Sequence, residues 1–197
     1  MDLDNSKKLE KVKNDLINNA KKHALYKNVL DTKGHIVFGR GSDSAKILFI
    51  GEAPGFSENE QGRPFVGRSG KLLGEWIEEL GLNEEDYAIM NVVPIIPLSA
   101  EKKIRPPTEE EINYFLPQTK KMIESISPQI IVLLGRSSAS IFDKNLIVGQ
   151  AKKEVIGKLT TMLYFIYHPA YYLRNGKKGF EGLTPLKKIL LENKTIK

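Results

Sequence analysis

The strongest constraint on the fold is a set of short apolar runs that do not alternate with polar residues. Lys46–Ile50 (KILFI), Tyr87–Val93, Gln129–Leu134 (QIIVLL) and Met162–Tyr167 all read this way. Such runs suit strands buried on both faces, the usual condition of a parallel sheet. Ile36–Gly39 predicts one further short strand. Helical patterns lie around and between these runs. Residues 6–22 carry Leu9, Val12, Leu16 and Ile17 at helical spacing among lysines, which predicts a basic amphipathic helix. Ser69–Leu80 puts Leu72, Leu73, Trp76, Ile77 and Leu80 on one face, and Gly81 is a natural stop. Thr108 and Glu111 form a capping box for a helix running to about Ser125. Arg136–Phe142 predicts a short helix, and Leu183–Glu192 a last one. The alternation predicts an α/β fold: a three-layer α/β/α sandwich around a mainly parallel four-stranded sheet. Ligands bind such sheets in the crevice at the carboxyl ends of the strands. Gly51–Gly55, Asn91, Gly135 and His168 all fall at those ends.

The chain has 197 residues, 41% of them hydrophobic, enough for one domain with a proper core. We expect a single domain over 1–197, with the basic helix at 1–22 packed on it. There is no cysteine, so disulfides, thiolate metal sites and iron–sulfur ligands are all excluded. The net charge of +6 favours acidic partners, chiefly phosphate polymers. No apolar run approaches the ~20 residues that span a bilayer, and Met1–Asn28 lacks a signal-peptide core. The expectation is a soluble cytoplasmic protein, a monomer, with no membrane partner.

The strand ends carry the residues with chemical potential. In Gly51-Glu52-Ala53-Pro54-Gly55 the glycines permit close backbone approach to a ligand, and the proline stiffens the turn. Glu52 and Glu58 could orient a water, or could be ordinary surface carboxylates. Phe65 could be a platform for a base or a core aromatic, with Arg63 and Arg68 beside it for phosphates. Asn91 stands as an amide among apolar neighbours and needs hydrogen-bond partners. Its NH2 and oxygen match O4 and N3–H of uracil. His168 could stabilise developing negative charge or be a satisfied core histidine. Arg174 and Asn175 offer phosphate contacts, and Tyr171, Tyr172 and Leu173 a wedge into a duplex. Neither a Walker loop nor a GxGxxG fingerprint after a strand is present.

The segment GEAPGFSENEQGRPFVGRSGKLL, Gly51–Leu73, resembles the first motif of the family 4 uracil-DNA glycosylases. YHPAYYLRN, Tyr167–Asn175, resembles the family's second motif, and MNVVP carries an asparagine, Asn91, like the one that reads uracil. SPQIIVLLG, Ser127–Gly135, resembles the strand before the family's phosphate-binding turn. The likeness spans about Lys21–Lys188. It implies that Glu52, Glu58 and His168 are catalytic. It also implies that Gly51, Glu52, Ala53, Pro54, Phe65, Asn91 and His168 bind uracil. Arg68, Gly135, Arg136, Arg174 and Asn175 would then hold DNA phosphates. The family typically uses four cysteines to hold a [4Fe–4S] cluster. Here Ala20, His23, Ile95 and Tyr114 stand near those positions, so apolar packing is expected in its place.

The resemblance implies hydrolysis of the N-glycosidic bond of deoxyuridine in DNA, with uracil-containing DNA as the partner and no cofactor. Which glutamate handles the water is left open. Two rivals remain at this level: a glycosylase for another deaminated base such as hypoxanthine, and a non-catalytic DNA-binding relative.

Overall fold

The computed structural model describes residues 3–192. Residues 1–2 and 193–197 of the expected domain lie outside the described residues. The chain opens with helices α1 (Leu3–Ala20) and α2 (Tyr26–Thr32), then strands β1 (Arg40–Gly41) and β2 (Ile47–Gly51). Helices α3 (Phe56–Gln61) and α4 (Arg68–Glu79), strand β3 (Tyr87–Asn91) and helix α5 (Glu109–Ile126) follow. Strand β4 (Ile130–Leu134), helix α6 (Arg136–Ser140), and strands β5 (Ala151–Ile156) and β6 (Leu159–Ile166) come next. Helix α7 (Pro169–Arg174), a 3-10 turn at Phe180–Gly182 and helix α8 (Leu183–Glu192) complete the described chain.

These strands form one six-stranded sheet in the order β1-β3-β2-β4-β6-β5. The four apolar runs supply its centre, and there β3, β2, β4 and β6 are all parallel. The four-stranded expectation was too small, because an antiparallel strand is added at each edge. The edges gave little sequence signal for physical reasons. β1 has only two residues, and β5 is exposed along most of its length, with lysines where a buried strand would need apolar side chains. The strand expected at Ile36–Gly39 does not form. Val37 instead donates its N–H to the carbonyl of Pro94 at 2.7 Å.

Side chains alternate across the central strands and feed two cores. Leu48, Ile50, Met90, Leu133 and Phe165 pack on one face with Leu9 of α1, Val29 of α2, and Phe115 and Ile123 of α5. Ile47, Phe49, Ile89, Val132 and Tyr164 pack on the other with Leu73 and Trp76 of α4, Tyr172 of α7 and Leu186 of α8. Helices therefore cover both faces, which leaves the carboxyl ends of the parallel strands as the open crevice. Among the described residues no helix is long and apolar enough to cross a membrane.

The stretch from Pro94 folds inward and then turns back. Ile95 and Ile96 are fully buried, and Asn28 donates its amide to the Ile96 carbonyl at 2.8 Å. Leu98 and Ile104 then form an isolated antiparallel bridge, closing a hairpin over Ser99–Lys103. Arg105 holds its exit through two hydrogen bonds to Glu111, at 2.8 and 2.6 Å.

The positions that would correspond to cluster ligands are filled by packed side chains. His23 packs at a steep tilt against Tyr114, ring centroids 4.4 Å apart, and against Phe115 at 5.1 Å. Tyr114 donates its hydroxyl to Asn19 Oδ1 at 3.0 Å, pinning the end of α1 to α5. Ala20 and Ile95 are buried in the same core. No group of three or more His, Cys, Asp or Glu residues able to hold a metal occurs among the described residues. An iron–sulfur cluster does not fit this corner, since the chain supplies no thiolate. Tyr114→Ala should lower unfolding free energy by about 2 kcal/mol through lost ring packing and the lost bond to Asn19. Urea denaturation checks this, and an unchanged midpoint would refute the pinning role.

Candidate active site

The crevice holds a cavity of about 570 Å³. Its lining comes from the loop after β2 and the first turn of α3 (Glu52–Glu58), from Phe65, Asn91 and His168, and from the returning hairpin (Pro97 and Ile104–Pro107). Parallel register sets the floor. Gly51 and Asn91 are direct partners at the ends of β2 and β3. A Cβ on Gly51 would lie 2.6 Å from both Asn91 Oδ1 and Phe65 Cζ. Only glycine lets the amide and the ring sit that close to the strand end.

Phe65 is buried and has φ of +55°, a left-handed conformation that a bulky side chain seldom adopts. Such strain is of the order of 1 kcal/mol and persists only where neighbours impose it. Two neighbours do so. The Phe65 carbonyl lies against Gly70, where any side chain would collide with it. Glu58 fixes the following residues: its Oε1 accepts the N–H of Val66 at 3.0 Å and of Gly67 at 2.9 Å. Its Oε2 accepts the N–H of Gly55 at 3.1 Å. One carboxylate thus ties the turn before α3 to the turn before α4.

Glu52 is placed quite differently. Its Oε1 is buried with no hydrogen-bond partner among the described residues. Burial raises its pKa above the ordinary 4.5, while the Ser137 hydroxyl near the start of α6 works in the opposite direction. The two glutamates that sequence left equivalent are therefore distinct. Glu58 is engaged by three backbone N–H groups, whereas Glu52, which also lines the cavity, keeps one buried oxygen without a partner among the described residues.

His168 precedes α7 as its N-cap, with its Nδ1 accepting the N–H of Ala170 at 3.2 Å. That bond assigns the ring proton to Nε2. Burial, aided by the nearby Arg174 charge, lowers its pKa to about 4 against a weaker opposing pull from Glu58. The imidazole is therefore neutral at pH 7 and offers one N–H donor. Its ring lies 5.6 Å from that of Phe65, centroid to centroid.

The family model of the uracil DNA glycosylase superfamily matches residues 38–192, which include all six strands and every residue named above at the cavity. The chain belongs to the uracil-DNA glycosylase superfamily. It is similar to a type-4 uracil-DNA glycosylase of Saccharolobus solfataricus, 40% identical over 168 residues, covering 79% of this chain and 71% of the relative. A type-4 uracil-DNA glycosylase of Archaeoglobus fulgidus is 37% identical, covering 80% of this chain and 82% of its own. One from Thermotoga maritima is 36% identical, with 81% and 79% covered. The family 4 resemblance carried by Gly51–Leu73 is borne out.

Around this glycosylase-like cavity the predicted phosphate contacts divide. Arg68, the first residue of α4, is exposed and lines the cavity mouth. Gly135 has φ of +94°, and a Cβ there would lie 3.1 Å from His168 Cβ, so the turn into α6 requires glycine. Arg136 is engaged internally: it donates to the Leu146 carbonyl at 2.9 Å and covers the Phe165 ring at 4.7 Å. Arg174 is exposed at the end of α7, and Asn175 donates its amide to the Tyr171 carbonyl at 2.7 Å. Tyr172, expected with Tyr171 and Leu173 as a wedge, is buried against Trp76 and cannot leave the core cheaply. Three contributors are not marked in the sequence. Ser137 is an ordinary serine in a short helix, with no pattern to mark it. Ile104 and Arg105 reach the cavity only because the hairpin folds back, although the pairing of Arg105 with the capping-box Glu111 was available as a clue.

The different settings of the two glutamates predict opposite stability effects. Glu58→Gln leaves at least one of three backbone N–H groups without an acceptor and should destabilise by about 1–3 kcal/mol. Glu52→Gln removes a charge that burial disfavours and should be neutral or stabilising. Chemical denaturation of both variants at pH 7 checks the pair, and equal losses would overturn the distinction.

Proposed function

We propose that this chain hydrolyses the N-glycosidic bond of deoxyuridine in DNA, releasing uracil and leaving an abasic site. The carrying observation is that one cavity is lined both by the Asn91 amide and by a carboxylate, Glu52, with an unspent buried oxygen. The names of the type-4 relatives agree with this reading. The scheme takes residues 1–197 as one functional unit, a cytoplasmic monomer, in which one chain supplies every group.

The target nucleotide leaves the base stack and enters the cavity. Arg68, Arg174 and backbone N–H groups at the turn after Gly135 meet the phosphates. Phe65 supplies the flat surface on which uracil lies. The Asn91 NH2 donates to O4, and Oδ1 accepts from N3–H. As the bond from C1′ to N1 breaks, its electron pair moves onto uracil. The Nε2–H of neutral His168 donates to O2 and stabilises that charge. Glu52 faces the positive character left on the sugar, orients the water whose oxygen joins C1′ and takes up the proton that this water releases, while uracil departs as its anion. Ala53 and Pro54 line the same recess, Gly51 lies behind Asn91 and Phe65 and lets them approach, and Glu58 acts as a positioning residue by fixing Phe65. Every role falls to a group of this chain, so the scheme uses no metal or redox cofactor.

Specificity follows from the same contacts. Cytosine presents a donor where uracil presents O4, so a fixed amide mismatches it by a few kcal/mol, about 2–4. Thymine must be refused by shape, and the wall from Pro54 to Glu58 is the part of the lining placed to do so.

Incubation with a uracil-containing oligonucleotide followed by alkaline cleavage tests the proposal. Absence of strand cleavage at every protein concentration would falsify it. Asn91→Ala and Glu52→Ala should each lower kcat/KM by about 100-fold or more, and near-normal rates would refute the assigned roles.

Excision requires ionised Glu52, so the rate should fall as pH drops through its raised pKa. Ser137 lowers that pKa, so Ser137→Ala should move the acid limb of the kcat profile to higher pH. A limb that stays in place would remove Ser137 from this role.

A further inference from the structure

We propose that a second groove, lined by Tyr167, Tyr171 and Tyr172, binds bases that flank the target nucleotide in single-stranded DNA. This rests on the glycosylase reading and extends it from the excised base to its neighbours.

The groove has a volume of about 440 Å³ and also takes in Asn175 and Lys177. Its defining feature is a fixed aromatic platform. The Tyr167 and Tyr171 rings stack with centroids 4.5 Å apart and planes tilted by 33°. They are 37% and 41% exposed, and unlike the other exposed aromatics, Phe56 and Phe180, they lie against each other. Each spends one face on the other, and their exposed surface can continue the stack. Beneath them Tyr172 is buried and meets Tyr171 edge-on at 5.5 Å. Tyr172 is itself held by the edge of Trp76 at 5.5 Å and by the backbone of Gly179, where a Cβ would lie 2.8 Å from its ring. The exposed pair is therefore set before any ligand arrives, and little ordering entropy remains to oppose stacking.

Position identifies the occupant. Tyr167 adjoins His168, and Tyr171 follows Ala170, while both His168 and Ala170 line the uracil cavity. One turn of chain thus has the cavity on one side and the tyrosine groove on the other. A nucleotide strand whose target enters the cavity passes this turn at once. Arg174 is exposed on the same helix, and Lys177 lines the groove, so cations for the backbone lie beside rings for the bases. Aromatic platforms next to cations bind single strands with little sequence preference, because every base has a π-face. A paired duplex would keep its bases stacked on one another and away from these rings.

The test uses the full chain and two single-stranded oligonucleotides, each with one uracil. In one the neighbours carry bases; in the other they are abasic sugar–phosphates. The wild type should show a KM about tenfold higher on the second, with kcat within about twofold. Tyr171→Ala should raise KM about tenfold on the first strand and no further on the second. Tyr171→Phe should behave as wild type. An unchanged KM for Tyr171→Ala on the first strand overturns the proposal, as does an equal rise on both. Binding of a uracil-free single strand, followed by fluorescence anisotropy, tests the groove separately from excision. There Tyr171→Ala should weaken binding about tenfold, and equal affinity again overturns it. If the wild type excises no uracil but binds such strands through Tyr171, the proposed reaction fails and the groove stands.

Discussion

The arrangement of the cavity depends on the carboxylate of Glu58. Three backbone N–H groups from two separate turns converge on its two oxygens. Charge-assisted bonds of this kind are stronger than neutral ones, and they substitute for the protein partners those N–H groups would otherwise lack. Through them the turn carrying Gly55 and the turn following Phe65 become one piece. Phe65 can then hold a left-handed backbone that it would not choose alone. A ring in a fixed place is what a base needs as a floor, so in the proposed reaction the position of uracil would trace back to a residue that need never touch it.

The two carboxylates show how position divides labour between like groups. Both follow β2 within seven residues of each other, and both line the cavity. Glu58 sits where helix and turn N–H groups point, and its negative charge is fully solvated by the protein. Glu52 sits where the sheet ends and finds no such donors for one of its oxygens. In the proposed reaction, the positive character developing on the sugar would offset that burial cost at Glu52. His168 completes the contrast as a neutral donor, its proton placed on Nε2 by a backbone N–H that occupies the other nitrogen.

Much of this was legible in the sequence, for definite reasons. Apolar runs without alternation mark doubly buried strands, so the four central strands were readable, and with them the crevice where Gly51, Asn91, Gly135 and His168 meet. The long first motif named the family. The edge strands were hidden because β5 is polar and β1 is two residues long. The different settings of Glu52 and Glu58 were hidden because they depend on where N–H groups of Gly55, Val66 and Gly67 point in space. Arg136 illustrates the same limit. An arginine after a glycine turn suggests a phosphate ligand, and nothing in its neighbours showed that folding would also set it beside the Leu146 carbonyl and the Phe165 ring. Tyr172 likewise shares a motif with Tyr171, but one turn of helix points it into the core.

The packed corner of His23, Tyr114 and Phe115 has a consequence for how this protein is made. A site closed by side chains is complete when the chain collapses, whereas a site closed by a cluster must wait for iron and sulfide to be delivered. Nothing in this corner is assembled by another protein, and none of its atoms is a thiolate that oxidants attack. Completion of this corner therefore needs no iron or sulfide, and it offers oxidants no thiolate to attack.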